Sequence, residues 1–322
     1  MSRKPFRDAM RHEVEVACIG KPIGRRPSWS LAVFAHNESG RIRPALESIA
    51  RAAGNNDVAV TVLANGCTDS TADEVRACAS LLPNLWLAEM AVADKANAWN
   101  VYVHELITPE RAGEIETYFF MDGDVRLERD ALALLAAALS AVPTANAAGG
   151  MPATGRNRVS WRARMIKNGT LAGNLYALRS SFVDCVRQRQ IRIPIGLVFE
   201  DSLLSQLVAT EFGEATSRSE DPRCIFCLTA EFSFRSLSLI RPGDYRLYWS
   251  RKWRYARGGL QLEMLINVLR VGGMAAMPGH VNELYLKAPL PSRMRWMGLD
   301  TPLRLLSVLR VRSYRRHHSV DE

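Results

Sequence analysis

The sequence predicts an α/β protein, with a mostly parallel sheet flanked by helices and a helical C-terminal extension. Three observations predict it. Short apolar runs alternate with helical patterns through the first half of the 322-residue chain. The runs are apolar on both faces, the pattern of strands covered by helices on both sides. Clusters of Asn, Asp and Gly stand where the runs end, and open parallel sheets bind ligands beyond the carboxyl ends of their strands.

In chain order, Leu31–Ala35 reads as a strand and Pro44–Ala53 as a helix. Val58–Ala64 is β-rich, and Thr71–Leu82 follows as a helix, with Thr71 and Glu74 spaced for a capping box. Leu85–Val92 and Tyr118–Met121 are further strands, each followed by a helix, Lys95–Leu106 and the Ala/Leu-rich Asp130–Val142. Beyond residue 150 the pattern loosens. Helices are expected over Val159–Asn168 and Ser202–Thr210, and strands over Gly173–Leu178 and Phe226–Phe234. Pro242 opens a helix expected to break near Gly258-Gly259 on its way to Arg270. Val271–Pro291, rich in Gly and Pro, reads as loop, and Thr301–Arg316 as a basic, partly amphipathic helix.

Composition excludes several classes. At 48% apolar and 23% charged residues, the chain is neither disordered, collagenous nor a disulfide scaffold. No apolar stretch reaches the roughly 20 residues of a membrane span. The N-terminus lacks the apolar core of a signal peptide, so the six Cys are read as reduced cytosolic thiols. Cys224-x-x-Cys227 has no second half for zinc and reads as part of a strand. The net charge of +9 sits at the ends: residues 1–26 carry +4 and residues 293–316 carry +6. Basic ends suit a polyanionic partner. The nearly neutral body and the lack of a recognition motif argue against nucleic acid.

The chemistry collects at strand ends. The first strand runs into Asn37-Glu38, the second into Asn65-Gly66-Cys67-Thr68-Asp69, and the fourth into Asp122-Gly123-Asp124. Each alone is a plausible turn; together they mark one edge of one sheet as a site. Two carboxylates across a Gly can hold a hard cation, Mg²⁺ or Mn²⁺, completed by water and substrate phosphates. Lys95 either meets a diphosphate as a point charge or caps a solvated helix start. Arg251, Lys252, Trp253, Arg254 and Arg257 either close over a diphosphate or form a basic helix face with Trp253 packed inward. No Gly-x-Gly-x-x-Gly or P-loop pattern is present, which removes support for a dehydrogenase or P-loop NTPase.

Leu31–Ile49 (LAVFAHNESGRIRPALESI), Ala64–Thr71 (ANGCTDST), Lys95–Asn100 (KANAWN), Asp122-Gly123-Asp124, Gly173–Arg179 (GNLYALR) and Glu200-Asp201 occur in that order. In this order they resemble the motifs of the family 2 inverting glycosyltransferases, which have the GT-A nucleotide-sugar-binding fold. The resemblance covers roughly residues 29–210. It implies transfer of a sugar from a nucleotide-diphosphate sugar to an acceptor hydroxyl, in cell-envelope or polysaccharide biosynthesis. Asp201 is the implied base, and Asp124 with Asp122 the implied ligands of Mg²⁺ or Mn²⁺. Asn37, Glu38, Asn65, Asp69, Lys95, Asp122, Glu200, Trp253 and Arg254 are the expected nucleotide-sugar contacts. The chain departs from the pattern at Ala64 and Asn65, where the family carries an acidic pair. It also lacks the Gln of the processive members' Gln-x-x-Arg-Trp near Trp249–Trp253, which argues against a polymerase that extrudes its product.

The expected organisation is a basic segment over 1–28, a GT-A catalytic domain over 29–240 and a helical, basic extension over 241–322. The setting is cytoplasmic, peripheral on the inner face of the cell membrane if the C-terminal helix binds an anionic surface. Two alternatives are a catalytically inactive sugar-binding or membrane-scaffold relative, and a GT-A-like sugar nucleotidyltransferase.

Overall fold

The computed structural model describes residues 14–21, 27–54, 56–108, 114–213, 222–237, 241–291 and 300–318. Most of the basic N-terminal segment, Arg293 and Arg295 lie outside these residues. The strands are β1 (Val14–Cys18), β2 (Trp29–Ala35), β3 (Val58–Asn65), β4 (Leu85–Met90), β5 (Thr117–Asp122), β6 (Val125–Leu127), β7 (Ala147–Pro152), β8 (Leu175–Arg179) and β9 (Cys224–Phe234). The helices are α1 (Ile42–Ala53), α2 (Thr71–Arg76), α3 (Lys95–Val101), α4 (Ala131–Ala141), α5 (Arg158–Asn168), α6 (Ser180–Gln188), α7 (Glu200–Thr210), α8 (Pro242–Gly272), α9 (Val281–Lys287) and α10 (Thr301–His318). A π turn, Tyr102–Leu106, extends α3.

The strands form one sheet in the order β1-β4-β3-β2-β5-β8-β7-β9-β6. β4, β3, β2 and β5 are parallel, as the helical crossovers between them require. β7 and β9 are parallel as well, so the expected mostly parallel sheet is present with antiparallel strands set into it. β1, β8 and β6 run antiparallel to their neighbours β4, β5 and β9, and β7 is antiparallel to β8. β8 turns back because the chain comes to it from Gly173-Asn174, at the edge where β5 ends. Met121 therefore pairs with Leu175 and Thr117 with Arg179.

Two apolar layers cover the sheet. On one face Leu31, Val33, Val60 and Val62 pack with Leu46 and Ile49 of α1 and Leu132 and Leu135 of α4. Those α1 positions repeat at helical spacing with Ile42 and Ala45, which is why this segment buries one stripe. On the other face Phe120 stacks on Tyr176 at 4.9 Å, Trp99 at 6.0 Å and Phe34 at 6.4 Å, with Tyr102 edge-on at 5.8 Å. Leu260, Met264 and Leu265 of α8 and Val308 and Val311 of α10 belong to this second layer. The helical extension is thus packed onto the face beneath the polar edge.

Three local expectations are corrected. α8 runs unbroken through Gly258-Gly259. A Cβ at Gly258 would lie 2.9 Å from Val198, so this glycine permits close packing instead of ending the helix. Within Val271–Pro291, a 3₁₀ turn (Met274–Ala276) and α9 form. The capping box at Thr71 does not form: Ser70 precedes the helix, and Glu74 reaches across to the backbone N–H of Gly40.

Phe120 is fully buried between four aromatic rings and underlies the polar edge. Phe120→Ala is expected to lower unfolding stability by roughly 3–5 kcal/mol, read from urea denaturation. A loss below about 1 kcal/mol would show that the ring cluster is not the core of this layer.

Candidate active site

The polar residues at the strand ends meet in two groups. The first ties the exits of β2 and β3. Asn37, held at φ 56°, accepts from the Thr68 N–H at 2.8 Å. His36 Nδ1 donates to the carbonyl of the buried Asn65 at 2.8 Å. Asp69 accepts from the Ser39 N–H, the Thr71 N–H and the Thr71 hydroxyl at 3.1, 3.1 and 2.5 Å. Burial pushes its carboxyl up, but these bonds together outweigh that and hold it below the ordinary range. Asp69 therefore fastens two loops, and its side chain is already engaged.

The second group is built around Lys95. Asp94 caps α3 by accepting from the Asn97 N–H at 2.7 Å, which places Lys95 at the first helical position. The Lys95 ammonium lies 2.5 Å from Asp122, 2.9 Å from Glu200 and 3.1 Å from the Gly173 carbonyl. The Phe34 ring is 5.3 Å away. Burial opposes its charge, but Asp122 and Glu200 outweigh that and raise its pKa well above the ordinary lysine value. Gly173 donates to Asp201 at 2.9 Å, and Ser202 donates to the other Asp201 oxygen at 2.7 Å. A Cβ on Gly173 would stand 2.9 Å from the ammonium and 3.3 Å from Asp201, so a larger residue here would displace the Lys95 side chain.

Glu200, Asp201, Asp124 and Glu38 all carry raised pKa values. Burial, opposed by Lys95 and reinforced by Asp201, lifts Glu200 to about 7. Burial also raises Asp201, against Lys95 and the Gly173 N–H. Burial and the Asp122 charge raise Asp124, while Arg251 and Arg41 work the other way. Glu38 is raised by burial and by Asp124, although Arg41 pairs with it at 2.7 Å. Mutual repulsion among Glu38, Asp122 and Asp124 is the electrostatic mark of a place that accepts positive charge.

Among the described residues, no three His, Cys, Asp or Glu side chains converge as a cation cage. The donor set still fits a cation held by one or two carboxylates and completed by phosphates. Asp124 is the better placed of the two candidate ligands, because Asp122 is engaged by Lys95.

α8 divides the expected cationic cluster. The Arg251 charge reaches Asp124. Lys252 instead pairs with Asp300 at 2.9 Å, and Arg254 is exposed over its neighbour Tyr255. Trp253 is half-buried, and among the described residues no ring or polar contact joins it or Arg254 to the carboxylates. Asp94 and Gln261 lie outside the residues to which the sequence motifs point. Asp94 also accepts from the Gly196 N–H at 2.9 Å, and Gln261 accepts from the Val198 N–H at 3.1 Å. An Asp-x-x-Asn start to α3 was the available signal for Asp94. Gln261, inside a Leu-rich helical run, offered none.

A folded-state pKa near 7 at Glu200, above its ordinary 4.5, means that the folded protein keeps a proton there which the unfolded chain has released. This contribution to stability is fully present below about pH 4.5 and is lost as pH rises through about 7. Between those limits the wild type is expected to lose roughly 1–3 kcal/mol relative to Glu200→Gln, measured by denaturant titrations across the range. Parallel pH profiles for the two proteins would show that Glu200 titrates normally.

No protein-family model matches the chain. No curated protein sequence matches it. Solved structures do. A mannosyltransferase of Pyrobaculum calidifontis, PcManGT, solved in complex with GDP-Man and Mn²⁺, is 19% identical over 97% of this chain and 81% of its own, with a TM-score of 0.58. TarS 1-349 of S. aureus is 17% identical over 90% of this chain and 73% of its own, at a TM-score of 0.48. Glucosyl-3-phosphoglycerate synthase of Mycobacterium tuberculosis is 16% identical over 71% and 78%, at 0.46. Resting on the first of these and on the sheet described above, the chain has the GT-A fold of glycosyltransferases.

Proposed function

We propose that this protein is an inverting, family 2-like glycosyltransferase that moves a sugar from a nucleotide-diphosphate sugar to an acceptor hydroxyl. The observation that carries the reading is the meeting of Lys95, Asp122, Glu200 and Asp201 around Gly173, beside Asp124. This happens at the ligand-binding edge of a GT-A sheet.

In this reading the acceptor oxygen attacks the anomeric carbon from the face opposite the diphosphate. The carbon–oxygen bond to the diphosphate breaks, and its electron pair leaves with the nucleoside diphosphate. Asp201 takes the acceptor's proton. Its two oxygens are oriented by the Gly173 and Ser202 N–H groups; the Ser202 hydroxyl shares the second oxygen at 3.4 Å, so the oxygen bonded by Gly173 is the one with a lone pair for the acceptor hydroxyl. Its raised pKa strengthens it as a base. Asp124, with Asp122 nearby, would hold Mg²⁺ or Mn²⁺, which supplies positive charge to the leaving diphosphate. Lys95 and Arg251 add fixed positive charge from the protein. Asn37, Glu38, Asn65 and Asp69 frame the nucleoside side. A cleft of about 570 Å³ there is lined by Cys67, Asp69, Arg76 and Glu89. The cytoplasmic setting expected from the sequence belongs to this reading. Cell-envelope or polysaccharide biosynthesis remains the process we assign.

Nucleotide release from guanosine- and uridine-diphosphate sugars, with Mn²⁺, Mg²⁺ or chelator, tests the reading directly. GDP-mannose comes first, because the P. calidifontis complex contains it. No turnover or binding of any donor would leave the inactive relative as the better account, and pyrophosphate release would indicate a nucleotidyltransferase.

Two variants separate metal from base. Asp124→Asn is expected to abolish metal-dependent donor binding and turnover together; activity within a few-fold of wild type at limiting metal would remove Asp124 from the metal site. Asp201→Asn is expected to keep donor affinity while kcat falls roughly 10²–10⁴-fold. Loss of donor binding in that variant would place Asp201 on the donor side.

A further inference from the structure

The first turns of α8 break the usual rule for a helix on a globular protein, in which apolar residues face the core. Every residue from Tyr245 to Ser250 is exposed. Tyr245, Leu247, Tyr248 and Trp249 keep 50%, 48%, 43% and 62% of their surface open. At about 100° per residue, Tyr245, Tyr248 and Trp249 share one side of the helix, and Leu247 lies on the other. Cations interleave with them. Residues 241–257 contain six basic residues and one acidic residue, Asp244, which pairs with Arg235 at 3.1 Å.

α10 adds a second surface of the same kind. Its inner side docks on α8 through Val308, Val311 and the Arg304–Glu263 pair, and Arg315 donates to the carbonyls of Tyr285 and Ala288. Its outer side leaves Leu305, Leu306 and Leu309 nearly half exposed beside the exposed Arg310, Arg312 and Arg316. No acidic residue occurs between Thr301 and His318.

We infer that the aromatic, basic end of α8 and the outer side of α10 dock this protein on an anionic bilayer surface. Trp and Tyr favour the interface between acyl chains and headgroups. Leu side chains gain from entering the acyl boundary, and basic residues are drawn to anionic headgroups. A soluble polyanion would satisfy the cations but offers Leu247, Leu305, Leu306 and Leu309 no apolar phase, so the observations favour the bilayer. No helix among the described residues is long and apolar enough to cross a membrane, so the contact is with the surface. Arg251, whose charge reaches Asp124, lies on the same stretch of α8. The inference does not depend on sugar transfer.

The test is sedimentation of the full chain with vesicles of phosphatidylcholine alone or mixed with phosphatidylglycerol, at low and high salt. Binding to the anionic vesicles that weakens with salt is expected. Tyr248→Ser with Trp249→Ser, and separately Leu305→Ser with Leu309→Ser, are each expected to weaken it about tenfold. All four side chains are exposed, and thermal melts verify that the variants fold. Arg246→Glu, which alters neither apolar group, is expected to weaken anionic binding while leaving the residual neutral binding unchanged. Equal binding to both vesicle types, or binding untouched by the serine variants, would overturn the proposal. So would equally tight binding to soluble dextran sulfate, which would mark a polyanion site. Self-association by light scattering that disappears in the serine variants, without vesicle binding, would make this face an interface between copies.

Discussion

Partial burial of the Lys95 ammonium is the constraint around which the site is assembled. Removing an ammonium from water is costly unless charges and hydrogen bonds replace the water. Here the replacements come from three separate segments: Asp122 at the end of β5, Glu200 at the start of α7, and the Gly173 carbonyl before β8. No two of these segments are neighbours in sequence, so the ion cluster is a tertiary contact as much as a chemical one. It also sets the acid–base state of its surroundings. Lys95 holds Glu200 and Asp201 down while burial pushes both up. The balance leaves Glu200 able to change charge near neutrality, and Lys95 firmly charged.

The backbone leading to that cluster has little regular structure of its own. Residues 192–194 precede the lone bridge of Ile195 to His280, and 197–199 lead directly into α7. Side chains hold the segment instead. The Asn100 amide both donates to and accepts from Ile193, each at 2.8 Å. Asp94 accepts from the Gly196 N–H, and Gln261 accepts from Val198 and donates to Gly196 and the Tyr285 hydroxyl. These bonds replace the ladder that a strand would have supplied, and they satisfy backbone groups that burial would otherwise leave unpaired. A loop before a candidate catalytic pair is thus fixed as firmly as a strand.

What could be read in the sequence follows from this arrangement. β2, β3, β4 and β5 are apolar on both faces and punctuated by helices, so periodicity revealed them with small errors at their ends. The carboxylates at the strand ends were visible because they stand in turn-like clusters after apolar runs. β7, an Ala-Gly-Gly run, carries no β-branched residue, and β1 is five residues long, largely exposed and interrupted by Glu15, so neither stands out. The direction of β8 could not be read, since strand polarity depends on the path taken by α5. Gly258 looked like a helix breaker because propensity is local, while its close approach to Val198 is not. Gln261 was invisible for the same reason: its partners are 63 and 65 residues away.

α8 is one unbroken helix of 31 residues, about 46 Å long at 1.5 Å per residue. Along it stand, in order, the exposed Trp249, then Arg251 with its charge on Asp124, then Gly258 against Val198, then Gln261 gripping the turn before Glu200. A continuous helix fixes the residue intervals between these points. The rod works as a ruler: the spacing from the outer surface to the acidic edge, and from there to the turn before α7, is set by residue count. Inserting or deleting one residue between Trp249 and Gln261 would rotate one end against the other by about 100°. Chain length in this stretch is therefore a determinant of the site in its own right, independent of which side chains fill it.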